Sequence, residues 1–204
     1  GFLSGFADYA CAMALEAAMA HAAAGGLTFP QTGPSLQAGS GLFILGMGKL
    51  GAHELNYSSD IDLILLHDSA APRCARPEKI QERLIRMTRQ AVSLLEERTA
   101  EGYVFRVDLR LRPDPAATAP ILSVAAAETY YSSLAQTWER AAFIKARVIA
   151  GDQTAGEAFL NHIQPFIWRR HLDFAAIADI NAMKQQIHDH RGHEDLKAPG
   201  HNIK

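Results

Sequence analysis

The chain has 204 residues, 48% hydrophobic and 21% charged, which excludes disordered and fibrous classes and suits one large domain or a domain with an appendage. Its net charge of −2 gives no basic footprint for nucleic acid, and Glu16 and His21 interrupt the alanine-rich N-terminal stretch before it reaches the ~18 residues of a membrane span. That stretch has no basic signal-peptide start, and two cysteines, Cys11 and Cys74, make no disulfide framework, so a cytoplasmic protein is expected.

Phe2, Phe6, Tyr9, Met13 and Ala17 recur at helical spacing and predict an amphipathic helix from Phe2 to about Ala24, stopped by Gly25-Gly26. Residues 28–41, rich in Pro, Gly and Ser, read as a loop. Leu42–Leu45 predicts a short buried strand, 46–59 a glycine-punctuated connection, and DIDLILLHD (60–68) a strand buried on both faces. After Pro72 and Pro77, a helix is expected from about Glu78 to Glu97. Its apolar stripe is Ile80, Leu84, Met87, Ala91 and Leu94, with Arg83 and Arg86 facing water. YVFRVDLRLRP (103–113) carries the clearest strand signal: Tyr103, Phe105, Val107, Leu109 and Leu111 on one face, Arg106, Asp108, Arg110 and Arg112 on the other. The remainder reads as helices: one capped by Ser123 and running through Tyr131, one from Gln136 to about Ile149, and two over 154–170 and 173–190. Trp168 is expected in the core, and the tail from Gly192 has no apolar periodicity. This order predicts an α+β fold with a small mixed sheet, an N-terminal helix and a helical C-terminal portion.

Gly46, Gly48 and Gly51 spell GxGxxG after a strand. A dinucleotide site needs a crossover helix of a dozen or more residues, and the next strand begins about nine residues after Gly51. What fits instead is a glycine turn followed by Asp-x-Asp on a strand. Gly48-Lys49, ten residues, then Asp60-Ile61-Asp62-Leu63 is similar to the pattern of nucleotidyltransferases of the DNA polymerase beta type, with Lys49 where Gly or Ser is usual. A lysine there can still meet phosphate as a point charge.

Asp60 and Asp62 leave one face of the strand, about 6.6 Å apart along the chain. If the strand bearing Asp108 lies alongside, three carboxylates converge and raise one another's pKa values. A hard divalent cation relieves that repulsion, and oxygen-only ligands favour Mg²⁺ or Mn²⁺. The plainer alternative makes Asp60 a turn cap and Asp62 a strand edge. Arg110 and Arg112 are candidates to hold phosphate oxygens bidentately; with Arg106 they can instead form a solvated face or pair with the acids. Lys145 either reaches phosphate or braces its helix to the sheet, and Ser58 and Ser59 either donate to phosphate or end the turn. His188, His190 and His193 read as a polar helix end.

Three blocks, GMGKLGAHELNYSSDIDLILLHD (46–68), YVFRVDLRLRP (103–113) and QTWERAAFIKARVIAGD (136–152), closely resemble bacterial glutamine synthetase adenylyltransferases, the bifunctional adenylylating and deadenylylating enzymes. Ala52-His53 departs from their usual Gly-rich continuation. The block wording is similar to the N-terminal, adenylyl-removing domain, so the resemblance implies a nucleotidyltransferase domain over 1–152 and a helical extension of the same unit over 153–204, cut from a longer chain. It implies phosphorolysis of the AMP–tyrosine bond on glutamine synthetase, giving ADP. Asp60, Asp62 and Asp108 would be the catalytic metal ligands, and Gly48, Lys49, Ser58, Ser59, Arg110, Arg112 and Lys145 would lie around nucleotide and phosphate. Adenylyl transfer from ATP and a non-catalytic regulatory module are the alternatives. Implied partners are glutamine synthetase and, through the full-length enzyme, a PII-type signalling protein.

Overall fold

The computed structural model describes residues 1–30 and 32–168. The expected helix over 173–190, the tail, and His188, His190 and His193 lie outside the described residues. Helix α1 (Phe2–Ala24) leads to a two-residue strand β1 (Leu27–Thr28), then β2 (Leu42–Gly46), a one-turn helix α2 (Gly48–Gly51) and β3 (Ile61–His67). A short β4 (Arg73–Cys74), which pairs with β1, precedes α3 (Ile80–Glu96). The chain continues through β5 (Val107–Asp108), β6 (Ile121–Ser123), α4 (Val124–Ser133), α5 (Thr137–Phe143), β7 (Arg147–Gly151) and α6 (Gln153–Ile167). This is the α+β arrangement expected, built on a mixed sheet.

The central strands are β2 and β3, antiparallel, with Gly46 opposite Leu63. β7 pairs antiparallel with the outer edge of β2. Along the free edge of β3, β5 pairs parallel at its start and β6 parallel at its end. An antiparallel β2–β3 connection rules out the parallel crossover of a dinucleotide fold, as its length suggested.

Both faces of β2 and β3 are covered, which explains their unbroken apolar runs. Leu42, Ile44, Ile61, Leu63 and Leu65 pack with α1 and α3 on one side. Phe43, Leu45, Ile64 and Leu66 pack with Tyr131, Phe143, Phe159 and Ile163 on the other. Ser123 caps α4 by accepting from the Ala126 amide, and Asp152 caps α6 by accepting from Ala155, each satisfying a helix-start donor.

Several expectations change. The aromatic stripe of α1 faces outward, with Phe2 90%, Phe6 47%, Tyr9 65% and Met13 51% exposed. The buried face is instead Ser4, Ala7, Cys11, Ala14, Leu15, Ala18 and Met19, because small side chains allow close approach to α3 and the sheet. Burial pushes the Cys11 thiol up to about 12, with Asp8 adding to the rise, so it is no thiolate nucleophile. Leu95 rather than Leu94 completes the α3 stripe. Arg83 donates to the Gly25 carbonyl at the end of α1. The helix expected from Gln136 to Ile149 stops at Phe143, and 147–151 form β7. There the free edge of β2 offers ladder bonds to Val148-Ile149, whose β-branching suits a strand. Trp168 is exposed.

His67, at the end of β3, is buried, and among the described residues neither ring nitrogen has a hydrogen-bond partner. Burial holds its pKa below the ordinary histidine value. As pH falls through the unfolded value near ~6.5, the unfolded chain binds a proton that the fold refuses, so this group lowers stability on acidification. Thermal melts from about pH 7.5 to about pH 5.5 should therefore fall more steeply for the parent than for His67→Leu. Parallel slopes would refute it.

Candidate active site

The register of β3 and β5 sets the site. Ile61 pairs with Val107 and Asp62 with Asp108, so the two carboxylates emerge side by side on one face, as alternation required. Val107 and Leu109 turn the other way, onto the α1–α3 side of the core. β5 is only two residues long, not the eleven-residue strand expected. After Leu109 the chain bends, and Leu111 packs against the opposite core. Arg112 clamps this bend: it donates to the carbonyls of Leu109, Pro115, Thr118 and Ala119 at 2.7–3.2 Å. The structure thus directs the Arg112 guanidinium into the loop rather than toward the carboxylates.

Arg110 does meet the acids. Its Nε and Nη2 donate to both oxygens of Asp108 at 2.5–3.0 Å, and its amide adds a bond of 2.8 Å. These bonds hold the Asp108 carboxyl below its ordinary pKa. Arg110 itself is 83% exposed on the open side. Arg106 pairs with Asp60 and donates to the Ser58 carbonyl at 2.7 Å. This is the acid-pairing role that the sequence left open for the arginine face. Asp62 is different. Burial and the nearby Asp108 and Asp60 push its pKa up, and among the described residues nothing donates a hydrogen bond to its carboxylate.

The glycine turn closes the other side. Met47 N donates to the Asp62 carbonyl at 2.9 Å, docking the turn on β3. Gly48 has φ +51, and a methyl there would lie 2.9 Å from Asp62 Oδ2, so glycine serves both backbone and space. Lys49 is exposed, and its charge lowers the Asp62 pKa. Ser58, at φ +59, and Ser59, whose amide bonds to Asn56 O at 3.2 Å, end the loop before Asp60. Lys145 pairs with Glu54 at 2.9 Å, beside the far end of the turn. Gly48, Lys49, Asp60, Asp62, Asp108 and Arg110 thus come together; Arg112 and Lys145 engage other groups.

Among the described residues no three His, Cys, Asp or Glu side chains are gathered tightly enough to hold one ion; Arg106 holds Asp60 and Arg110 holds Asp108. The chemistry of the donor set nevertheless fits a hard divalent cation. All the donors are carboxylate oxygens, and the unpartnered Asp62 sits between two like charges. Sequence reading missed the role of Arg147, which grips the turn from behind through Leu50 O and Gly51 O, and of Asp8, which accepts from Arg147; recognising β7 would have placed Arg147 there.

Among the described residues no helix is long and apolar enough to cross a membrane. The chain is 49% identical over its whole length to a bifunctional glutamine synthetase adenylyltransferase/adenylyl-removing enzyme of Rhizobium meliloti, covering 21% of that protein. A Bradyrhizobium relative of the same description is 50% identical over 99% of the chain and 20% of its own length. One from Mesorhizobium japonicum is 55% identical over 84% of the chain and 17% of its own length. The chain therefore spans about a fifth of the curated relatives it matches. The sequence profile of glutamate-ammonia ligase adenylyltransferase matches residues 1–162. With a profile match over residues 1–162 and relatives about half identical across nearly the whole chain, this chain belongs to the glutamate-ammonia ligase adenylyltransferase family.

Proposed function

We propose that this domain removes AMP from a modified tyrosine of glutamine synthetase by phosphorolysis, releasing ADP. The observation that carries the reading is the Asp62–Asp108 register beside the Gly48-Lys49 turn, in a chain of a family whose members are named for both adenylyl transfer and removal. The choice of removal rests on the wording of the blocks at 46–68 and 136–152, which resembles the family's N-terminal domain.

An oxygen of inorganic phosphate attacks the adenylyl phosphorus in line. A P–O bond to phosphate forms, the P–O bond to tyrosine breaks, and the phenolate takes up the proton that the phosphate gives up. A phenol of pKa ~10 is a competent leaving group, and because phosphate is already an anionic nucleophile no separate general base is assigned. Asp60, Asp62 and Asp108 would hold Mg²⁺ or Mn²⁺, which supplies Lewis-acid stabilisation of charge on the phosphorus oxygens. Arg110 faces the open side, where it binds the incoming phosphate or the adenylyl oxygens bidentately. Lys49 adds positive charge from the turn, and Ser58 and Ser59 border the entrance.

Incubation with adenylylated glutamine synthetase, Mg²⁺ and phosphate tests this. ADP formed only when phosphate is present supports removal; AMP transferred from ATP to the unmodified enzyme, without such ADP, contradicts it. Arg110→Ala separates binding from folding. Arg110 is 83% exposed but its Asp108 partner only 15%, so the variant leaves a carboxylate short of its hydrogen bonds at about 1–3 kcal/mol, and the melting temperature should fall modestly while the chain stays folded. Phosphate affinity and turnover should fall together, by roughly 10- to 100-fold for a lost charged hydrogen bond. Arg86→Ala, which breaks only an exposed pair with Glu82, is the control. An unchanged KM for phosphate in Arg110→Ala would remove Arg110 from the site.

A further inference from the structure

We propose that Arg147, with Asp8 as its counter-charge, is a positioning residue for the glycine turn, acting through the backbone of Leu50 and Gly51. The inference rests on the reading of that turn as part of the phosphate site. Arg147 opens β7 opposite Gly46, the last residue before the chain leaves β2 for the turn. Its Nε donates to Gly51 O at 3.2 Å, and its Nη2 to Leu50 O at 3.1 Å and to Asp8 Oδ1 at 2.7 Å. Both side chains of the Arg147–Asp8 pair are only 22% exposed, so the ionic bond is screened less than a surface one.

The same face of α1 holds the next residues of the loop. Leu55 N donates to the buried Ser4 Oγ at 3.2 Å. The inner polar face of α1 and the start of β7 therefore fix the rear of the segment from Leu50 to Leu55. Its front is the site. Gly48 lies against Asp62, and the turn is internally stiff, with Gly51 N bonded to Met47 O at 2.9 Å and Glu54 N to Lys49 O at 2.8 Å. Movement at Leu50–Gly51 is thus carried to Gly48 and Lys49, and small misplacements of binding groups are costly to rate.

The test measures Arg147→Gln, Arg147→Lys and Asp8→Asn by amide hydrogen exchange and by phosphate kinetics. In Arg147→Gln, exchange should quicken at Gly51–Glu54 while Leu63–Leu66 of β3 stay protected as in the parent. The KM for phosphate should rise about 10- to 100-fold, with a smaller change in kcat. Asp8→Asn should give the same pattern more weakly, and Arg147→Lys should recover part of the KM. Exchange that quickens equally in the turn and β3 makes Arg147 a general structural brace and overturns the proposal. So does turn exchange and KM unchanged in both Arg147→Gln and Asp8→Asn. A parent that forms no ADP contradicts the proposed function, while the exchange pattern still decides the role of Arg147.

Discussion

Asp62→Asn should abolish phosphorolysis while leaving the protein as stable as the parent or more so. Asp62 lies across from Asp108, near Asp60, with no hydrogen-bond donor of its own among the described residues. Its pKa is raised by burial and by those neighbours, which means that its charge opposes folding at neutral pH. Replacing the carboxylate with an amide removes that repulsion at nearly constant shape. On the proposed reading the same change would remove a carboxylate that holds a divalent ion, whose transition-state stabilisation is worth several kcal/mol, so turnover should fall by about 10³-fold or more. In the parent, Mg²⁺ or Mn²⁺ should raise the melting temperature by mass action, and in Asp62→Asn most of that rise should vanish. Thermal melts with and without cation, beside ADP release, check both halves. A cation-induced rise of equal size in the variant would move the metal site elsewhere.

Gly51→Ala should be the most destabilising single methyl in the site. A Cβ at Gly51 would lie 1.9 Å from the Lys145 carbonyl oxygen and 2.6 Å from that of Gly46. Both are backbone atoms, one in β2 and one just before β7, so neither can swing aside as a side-chain tip would. Relief requires the turn to lift off the sheet, breaking the Arg147 bonds to Leu50 and Gly51. Overpacking of this kind costs about 3 kcal/mol or more, or roughly 6–12 °C of melting temperature for a chain of this size. Gly5→Ala is the control, since nothing lies within 4 Å of a Cβ there and it sits within α1. A Gly51→Ala protein that melts with the parent would refute the close approach.

Much of the site could be read before any coordinates, because its logic is local. Alternation puts Asp60 and Asp62 on one side of an apolar strand, and the ten-residue spacing from Gly48-Lys49 returns the turn to them. The same alternation places Asp108 opposite Asp62, since Val107 and Leu109 pack inward on either side of it. The failures have a common cause in tertiary context. The alternation in 103–113 continues past the point where β3 has an edge to offer, because β6 occupies the rest of that edge. The helix expected through Ile149 has a helical pattern as far as Phe143, but the unpaired edge of β2 takes Arg147–Gly151 as a strand. In α1, the aromatic spacing suggested the buried face, whereas the alanine, serine and cysteine side is the one that fits closely on the core. Because β7 was hidden in a helix, the grip of Arg147 on the turn was hidden with it.

Phosphate as the nucleophile is the central claim, and isotopically labelled inorganic phosphate tests it most directly. With adenylylated glutamine synthetase and Mg²⁺, the label should appear in the β-phosphate of ADP, at a rate that collapses in Asp62→Asn. Release of AMP without incorporated label would contradict the account, because water rather than phosphate would then be attacking the adenylyl phosphorus.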